Sequence, residues 1–268
     1  MKIGFIGAGN MAGAIARGLV KSNAFKGDEL NIFDVNEAAL ASLAKDTGAC
    51  AFKSQSELIA SSDIVLFAVK PNVLAGVLSE AKASLEKKKP LVISIAAGKP
   101  IDFIESYIGT CFSVVRVMPN INAIVLAANS GFCANENVTG EEKEWVRKIF
   151  GAIGGVTEIE EKLFSAFGVL AGCAPAYAYL YIDALARAAQ KAGLPRDIAL
   201  KVSAQTAFGS AKMLLESSEH PHSLIDKVCS PGGTTIEGIL SLKADAFEGV
   251  LMKAFDASYE KDVSFGGK

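Results

Sequence analysis

The chain has 268 residues, half of them hydrophobic and 21% charged, which is enough apolar material for a buried core and excludes a disordered chain. The formal net charge is −2, so there is no basic field to hold nucleic acid or an anionic membrane. The five cysteines, Cys50, Cys111, Cys133, Cys173 and Cys229, are odd in number, widely spaced and without a C-x-x-C pair. That argues against a disulfide framework or a zinc site and for a reducing cytosol.

The opening Met1-Lys2-Ile3-Gly4-Phe5 runs directly into a strand pattern and does not read as a secretory leader. Short runs rich in Val, Ile or Phe predict strands over residues 3–6, 30–33, 64–68, 91–95 and 113–117, with two more near 127–133 and 157–159. Helical patterns such as 12–21 and 37–45 lie between the early runs. Alternating strands and helices imply βαβ units and a parallel sheet, and continuous apolar strands imply helices on both faces. From residue 160 onward the pattern is helical only: 160–170, 176–191, 196–216, 224–228 and 235–242, with a last helix from near Asp245 to just before Gly266-Gly267. Gly193-Leu194-Pro195 ends one helix and begins the next. The expected organisation is an α/β, doubly wound domain over residues 1–159 followed by an all-helical domain over 160–268. Residues 163–182 carry no charge but include Ser165, Gly168, Gly172 and Pro175, which reads as a buried helix or a subunit interface rather than a membrane span.

The first strand leads into Gly7-Ala8-Gly9-Asn10-Met11-Ala12, a G-x-G-x-x-A turn that opens a helix. Gly7 permits the tight turn, Gly9 lets a pyrophosphate approach the backbone, and the small Ala12 lets helix and strand pack closely. The free N–H groups of the helix then face the phosphates. The turn's position between strand and helix, with an acid after the second strand, points to a dinucleotide-binding Rossmann domain. That acid is Asp34, whose carboxylate suits the two ribose hydroxyls of NAD and repels a 2′-phosphate. No Arg is close by in sequence to receive such a phosphate, and Asn36 is the polar alternative.

In the second half, Cys229-Ser230-Pro231-Gly232-Gly233-Thr234-Thr235-Ile236-Glu237 is the most informative segment. Thr234 and Glu237 have capping-box spacing, so a helix is expected to start there. The Pro-Gly-Gly turn leaves N–H groups bare at the helix's positive end, and the hydroxyls of Ser230, Thr234 and Thr235 add donors. This suits a small carboxylate. An ordinary capped turn has the same pattern, and the residues alone do not separate the two readings.

Taken together with Ala68-Val69-Lys70-Pro71, Ser94-Ile95-Ala96-Ala97-Gly98, Met118-Pro119-Asn120, Pro175-Ala176-Tyr177 and Gly209-Ser210-Ala211-Lys212-Met213, these two motifs resemble those of pyrroline-5-carboxylate reductases, in the family's order and across nearly the whole chain. The resemblance implies reduction of 1-pyrroline-5-carboxylate to L-proline, the final step of proline biosynthesis. It implies NADP(H) as the cofactor by family default, with NAD(H) also used. It assigns Gly7, Ala8, Gly9, Asn10, Met11, Ala12, Asp34, Asn36, Gln55, Ala68, Val69, Lys70, Pro71, Ala96 and Ala97 to the cofactor. Ser230, Gly232, Gly233, Thr234 and Thr235 go to the substrate carboxylate, with Thr235 beside the ring nitrogen as the catalytic residue. The helical domain then binds substrate and builds a homodimer or larger homo-oligomer. The chain departs from the family at Ala171 and Cys173, where serines are usual, at Ile121-Asn122, where Thr-Pro is frequent, and at Ser218, where some members carry Glu. No catalytic role is carried over to those positions.

The chemistry fits a chain without an evident acid–base pair. A protonated imine is already electrophilic, so positioning the ring against the nicotinamide dominates. The two histidines, His220 and His222, lie in a Pro-interrupted loop with too few neighbours for a metal site. Cys173 and Cys229 read as small packing residues. Two other readings keep the same two-domain plan or the same first turn. A β-hydroxyacid dehydrogenase needs a basic lysine on the first interdomain helix, where this chain has Lys162 but none from 169 to 181. A non-catalytic nucleotide-binding protein has no use for the Ser230–Thr235 segment.

Overall fold

The computed structural model describes residues 1–266. An eight-stranded sheet fills the first half: β1 (Ile3–Ile6), β2 (Leu30–Phe33), β3 (Cys50–Ala51), β4 (Ile64–Phe67), β5 (Leu91–Ser94), β6 (Val114–Met118), β7 (Ala128–Ala134) and β8 (Gly154–Glu158). Six helices connect these strands: α1 (Asn10–Lys21), α2 (Glu37–Thr47), α3 (Gln55–Ala60), α4 (Leu74–Lys88), α5 (Ile101–Ile108) and α6 (Gly140–Gly151). The strand order is β3-β2-β1-β4-β5-β6-β7-β8, so the chain winds outward in one direction from β1 and then returns to β4 on its other side. Such a sheet binds ligands beyond the carboxyl ends of its strands, where the winding reverses. Here that point lies between β1 and β4.

Burial explains why the strands read as unbroken apolar runs. Every residue of β1, β4 and β5 is buried. One face carries Ile3, Phe5, Ile32, Leu66 and Ile93 against α1 and α6. The other carries Ile6, Val65, Phe67 and Val92 against α3, α4 and α5. Each such side chain stabilises the fold by roughly 1.5–3 kcal/mol.

The sheet is not wholly parallel, as the βαβ pattern suggested. β7 runs antiparallel to β6, while β8 is parallel to β7. Only a 3-10 turn (Ile121–Val125) lies between β6 and β7, and a parallel crossover needs a dozen residues or more. β3 was not foreseen either: it is two exposed residues held in register by β2.

After β8 the described residues contain no strand. A 3-10 turn (Glu161–Leu163), α7 (Phe164–Gly168), a π-turn (Val169–Cys173) and α8 (Ala174–Lys191) follow without a break. Then come α9 (Arg196–Glu216), α10 (Pro221–Val228), α11 (Thr234–Ala244) and α12 (Phe247–Gly266). The expected helix over 196–216 is found with those bounds. The last helix starts two residues later than expected and includes Gly266, while Gly267 lies outside the described residues. The run Glu161–Lys191 is long and apolar enough by length and composition to cross a membrane.

The chain divides into two compact units. One is Met1–Gly172 with the end of α12 from Lys261, and the other is Cys173–Glu260. The sequence division at 159/160 marks where strands stop, and the contact division at Gly172 marks where the first unit's packing stops. Within the second unit α8 and α9 pack along one another. Asp183 of α8 binds Arg187 at 2.6 Å and also pairs with Arg196 at the start of α9. Hydrogen bonds from Arg187 and Arg196 hold the Asp183 carboxyl below its ordinary range.

Candidate active site

In the first unit the glycine turn sits at the carboxyl end of β1, beside the carboxyl end of β4. Gly7 has φ +109°, and a β-carbon there would lie 2.7 Å from the Ala68 carbonyl oxygen, so only glycine fits. Its N–H donates to the Phe33 carbonyl at 2.8 Å, which ties the turn to β2. Gly9 is the N-cap of α1 and brings no side chain to the helix's first N–H groups. A β-carbon at Gly9 would meet nothing within 4 Å. Asn10 is exposed, Ala8 and Met11 are half-buried, and Ala12 is fully buried in the α1 face of the core. The result is an open turn of backbone donors at a positive helix end, the arrangement a pyrophosphate requires.

Asp34 follows β2 beside that turn. Its carboxylate accepts from the Ala8 N–H at 2.6 Å and from the Asn36 N–H at 2.7 Å. These bonds fix its position relative to the glycine turn. The Asn36 side-chain oxygen accepts from the Ala39 N–H and so caps α2. Val35, between them, is 90% exposed. Gln55 begins α3, and its side-chain amide donates to the Val77 carbonyl of α4 at 3.0 Å.

Two further loops leave the carboxyl ends of β4 and β5. The Ala68 N–H donates to the Ile6 carbonyl at 2.9 Å, so Ala68-Val69-Lys70-Pro71 leaves the sheet beside the glycine turn, with Lys70 exposed and Pro71 half-buried. In the second loop Ala96 is buried, Ala97 is exposed, and the Ser94 hydroxyl accepts from the Ala96 N–H at 3.3 Å. This loop ends at α5, where sequence reasoning missed a clamp. Glu161 accepts from the Ile101 N–H at 2.9 Å and from Arg116 of β6 at 3.0 Å. The Arg116 guanidinium lies 4.3 Å from the Phe164 ring centre. Partners 45 residues apart leave no local signature. The neighbouring Cys133 is buried, and burial, aided by the Glu161 charge, pushes its thiol up to about 12.

In the second unit the segment before α11 forms a separate turn. Gly232 has φ +66°, and the Gly233 N–H donates to the Ser230 carbonyl at 3.0 Å. The helix starts at Thr234, and Gly233 is its N-cap with no side-chain cap bond. The capping box read from Thr234 and Glu237 therefore does not form, because Thr234 is already inside the helix and the cap position has no side chain. The first N–H groups of α11 are left without side-chain acceptors. Ser230 and Thr234 are exposed, and Thr235 is half-buried. Among the described residues the Thr235 hydroxyl has no hydrogen-bond partner. Nearby in sequence, His220 accepts from the His222 N–H and caps α10, and the two rings stack at 5.5 Å.

Both glycine turns thus open helices at bare N–H groups, one in each unit. Residues 161–264 match a family model described as pyrroline-5-carboxylate reductase dimerisation, and residues 2–98 match one described as NADP oxidoreductase coenzyme F420-dependent. A pyrroline-5-carboxylate reductase of Methanosarcina acetivorans is 39% identical over 267 residues, covering 100% of this chain and 98% of the relative. The solved pyrroline-5-carboxylate reductase of Coxiella burnetii superposes with a TM-score of 0.94 at 32% identity, covering 98% of each chain. That of Plasmodium falciparum, solved with NADP bound, has a TM-score of 0.86 at 34% identity and covers 99% of this chain and 98% of its own. A prephenate dehydrogenase of Aquifex aeolicus, at 16% identity and a TM-score of 0.54, shares the fold alone.

Proposed function

This chain belongs to the pyrroline-5-carboxylate reductase family, and from that premise we propose how its residues divide the work of the reaction. The protein reduces 1-pyrroline-5-carboxylate to L-proline with NADP(H), the last step of proline biosynthesis. When bound, NADP(H) supplies the hydride that reaches the C5 carbon of the imine. Gly7, Ala8, Gly9, Asn10, Met11 and Ala12 hold the pyrophosphate on the N–H groups of α1. Asp34, Asn36 and Gln55 line the adenosine side. Ala68, Val69, Lys70, Pro71, Ala96 and Ala97 line the ribose and nicotinamide side. The open space at Gly9 and the uncapped start of α1 support the fit of a dinucleotide.

Ser230, Gly232, Gly233, Thr234 and Thr235 bind the substrate carboxylate at the uncapped start of α11. Thr235 orients the ring nitrogen through its hydroxyl. A neutral threonine is a poor acid, so the proton reaches the nitrogen from water. The observation that carries this assignment is the pair of glycine N-caps, Gly9 and Gly233, each leaving the first N–H groups of its helix free of side chains.

The fixed Asp34 carboxylate is compatible with NADH and adverse to a 2′-phosphate, so NADH is used alongside NADPH. The functional division falls at residue 160: β8 ends at Glu158 and the dimerisation family model begins at 161. The helical part forms the homo-oligomer, a dimer or a larger assembly built from dimers. The exposed Tyr179, Leu180 and Leu215 are apolar surface of the kind such an interface covers. The same covering accounts for the apolar run Glu161–Lys191 without a membrane, and we place the protein in the cytoplasm, with no nucleic-acid partner. The test is steady-state kinetics with pyrroline-5-carboxylate and with a β-hydroxyacid. NADPH-dependent turnover of the imine and none of the hydroxyacid supports the assignment, and the reverse refutes it.

A further inference from the structure

A Rossmann turn meets the adenosine ribose at the acid that ends its second strand, and a phosphate on that ribose calls for a basic side chain close by. Here the acid is Asp34, and its place is fixed. Its two carboxylate oxygens accept from the Ala8 and Asn36 N–H groups, at 2.6 and 2.7 Å. A phosphate monoester carries about −1.5 to −2 charges near neutral pH, so this carboxylate by itself repels it. A chain that binds NADP(H) needs a counter-charge at this position.

The loops that leave the carboxyl ends of β2 and β3, residues 34–37 and 52–55, hold one basic side chain between them, Lys53. β3 runs parallel to β2, with Asn31 opposite Cys50 and Ile32 opposite Ala51. The pairing continues past the strand, since the Phe52 N–H donates to the Ile32 carbonyl at 2.9 Å. Carried two residues beyond Ala51, the same register sets Lys53 abreast of Asp34, on segments about 4.8 Å apart. Lys53 is exposed and, among the described residues, takes part in no hydrogen bond or ion pair. The neutral polar side chains of the two loops each have a partner. Asn36 caps α2, the Ser54 hydroxyl accepts from the Glu57 N–H at 3.3 Å, and Gln55 donates to the Val77 carbonyl. All these residues lie in the unit that ends at Gly172.

We propose that Lys53 is the specificity-determining residue for NADP(H): its ammonium takes the 2′-phosphate beside Asp34 and offsets the repulsion from that carboxylate. The inference rests on the cofactor assignment above. Lysine binds a phosphate as a point charge on a flexible stem, so it needs no planar fork and no fixed geometry before the ligand arrives. The two residues then divide the cofactors. Asp34 serves the bare ribose hydroxyls of NAD(H), and Lys53 serves the phosphorylated ribose of NADP(H).

Calorimetric titration of the full chain with NADP+ and with NAD+, in the absence of substrate, tests this on the wild type, Lys53→Ala and Lys53→Arg. Loss of one hydrogen bond to a charged group weakens binding by about ten- to a hundredfold, so Lys53→Ala is expected to raise the NADP+ dissociation constant by about tenfold or more. The NAD+ constant is expected to stay within about threefold of wild type, because NAD+ has no group for Lys53 to meet. Lys53→Arg keeps the charge and retains most of the NADP+ affinity. Added salt weakens NADP+ binding less steeply in Lys53→Ala than in the wild type, since one charge pair has gone. Lys53 is exposed and unpaired among the described residues, so both variants are expected to melt with the wild type. An NADP+ constant within about threefold of wild type in Lys53→Ala, or an equal loss of NADP+ and NAD+ binding, overturns the proposal. Failure of the wild type to bind either dinucleotide would instead overturn the cofactor assignment itself.

Discussion

Replacing Thr235 by alanine separates catalysis from folding because of where the residue stands. Thr235 is the second residue of α11, after the glycine cap, and its hydroxyl has no partner among the described residues. Removing that hydroxyl deletes no hydrogen bond of the fold. Alanine is also the better helix former, by up to about 0.7 kcal/mol, so the melting temperature is expected to hold or rise slightly. If the hydroxyl bonds the imine nitrogen, its loss removes a hydrogen bond to a charged or charging group, worth about 1.5–3 kcal/mol. That corresponds to a fall in kcat/KM of about ten- to a hundredfold. NADPH affinity, which depends on the glycine turn of the other unit, is expected to stay the same. Thr235→Ser keeps the hydroxyl and retains most of the activity. Steady-state kinetics on both variants, with a thermal melt of each, decide the matter. A kcat/KM for Thr235→Ala within about threefold of wild type would refute the role and leave the backbone N–H groups of α11 and water to act alone.

Gly9→Asp is expected to abolish cofactor binding in a folded protein, since a β-carbon there meets open space while a carboxylate repels the pyrophosphate; calorimetric affinity within about threefold of wild type on folded protein would contradict this. Asp34→Ser removes the charge beside the ribose and is expected to raise kcat/KM for NADPH relative to NADH. An unchanged ratio would show that Asp34 does not face the ribose. Near neutral pH the Cys133 thiol, pushed up to about 12, stays protonated and buried, whereas Cys50 and Cys111 are exposed. Alkylation followed by mass spectrometry is expected to label Cys50 and Cys111 in the native protein and Cys133 only after denaturation, and equal labelling rates would contradict the packing around Glu161.

The central strands were legible because both faces of the sheet are covered, so β1, β4 and β5 read as unbroken apolar runs. The α9 bounds followed from Pro195 at its start and the polar segment after Glu216. β3 was not legible because its two residues, Cys50 and Ala51, are exposed and carry no pattern of their own. The reversal at β7 was set by the length of the link from β6, which pattern reading does not weigh. At the site, the glycine turn announced itself through its residues, whereas the Thr234–Glu237 spacing misled: a capping box is a matter of register, and the helix begins one residue too early for it. The Arg116–Glu161 clamp and the bond from the Asn120 side-chain amide to the Ala171 carbonyl join residues 45 and 51 positions apart, so no window of sequence contains them. A signal for the second did exist in Pro175, whose missing N–H leaves the Ala171 carbonyl to take a donor from elsewhere.

The central claim is that a hydride passes from the nicotinamide to C5 of the imine, and one isotope experiment tests it directly. The purified protein is incubated with pyrroline-5-carboxylate and NADPH deuterated at the transferred position, and the product is analysed by mass spectrometry and NMR. The account predicts L-proline carrying one deuterium, at C5. Proline formed without deuterium, or no proline at all from folded protein, would contradict it.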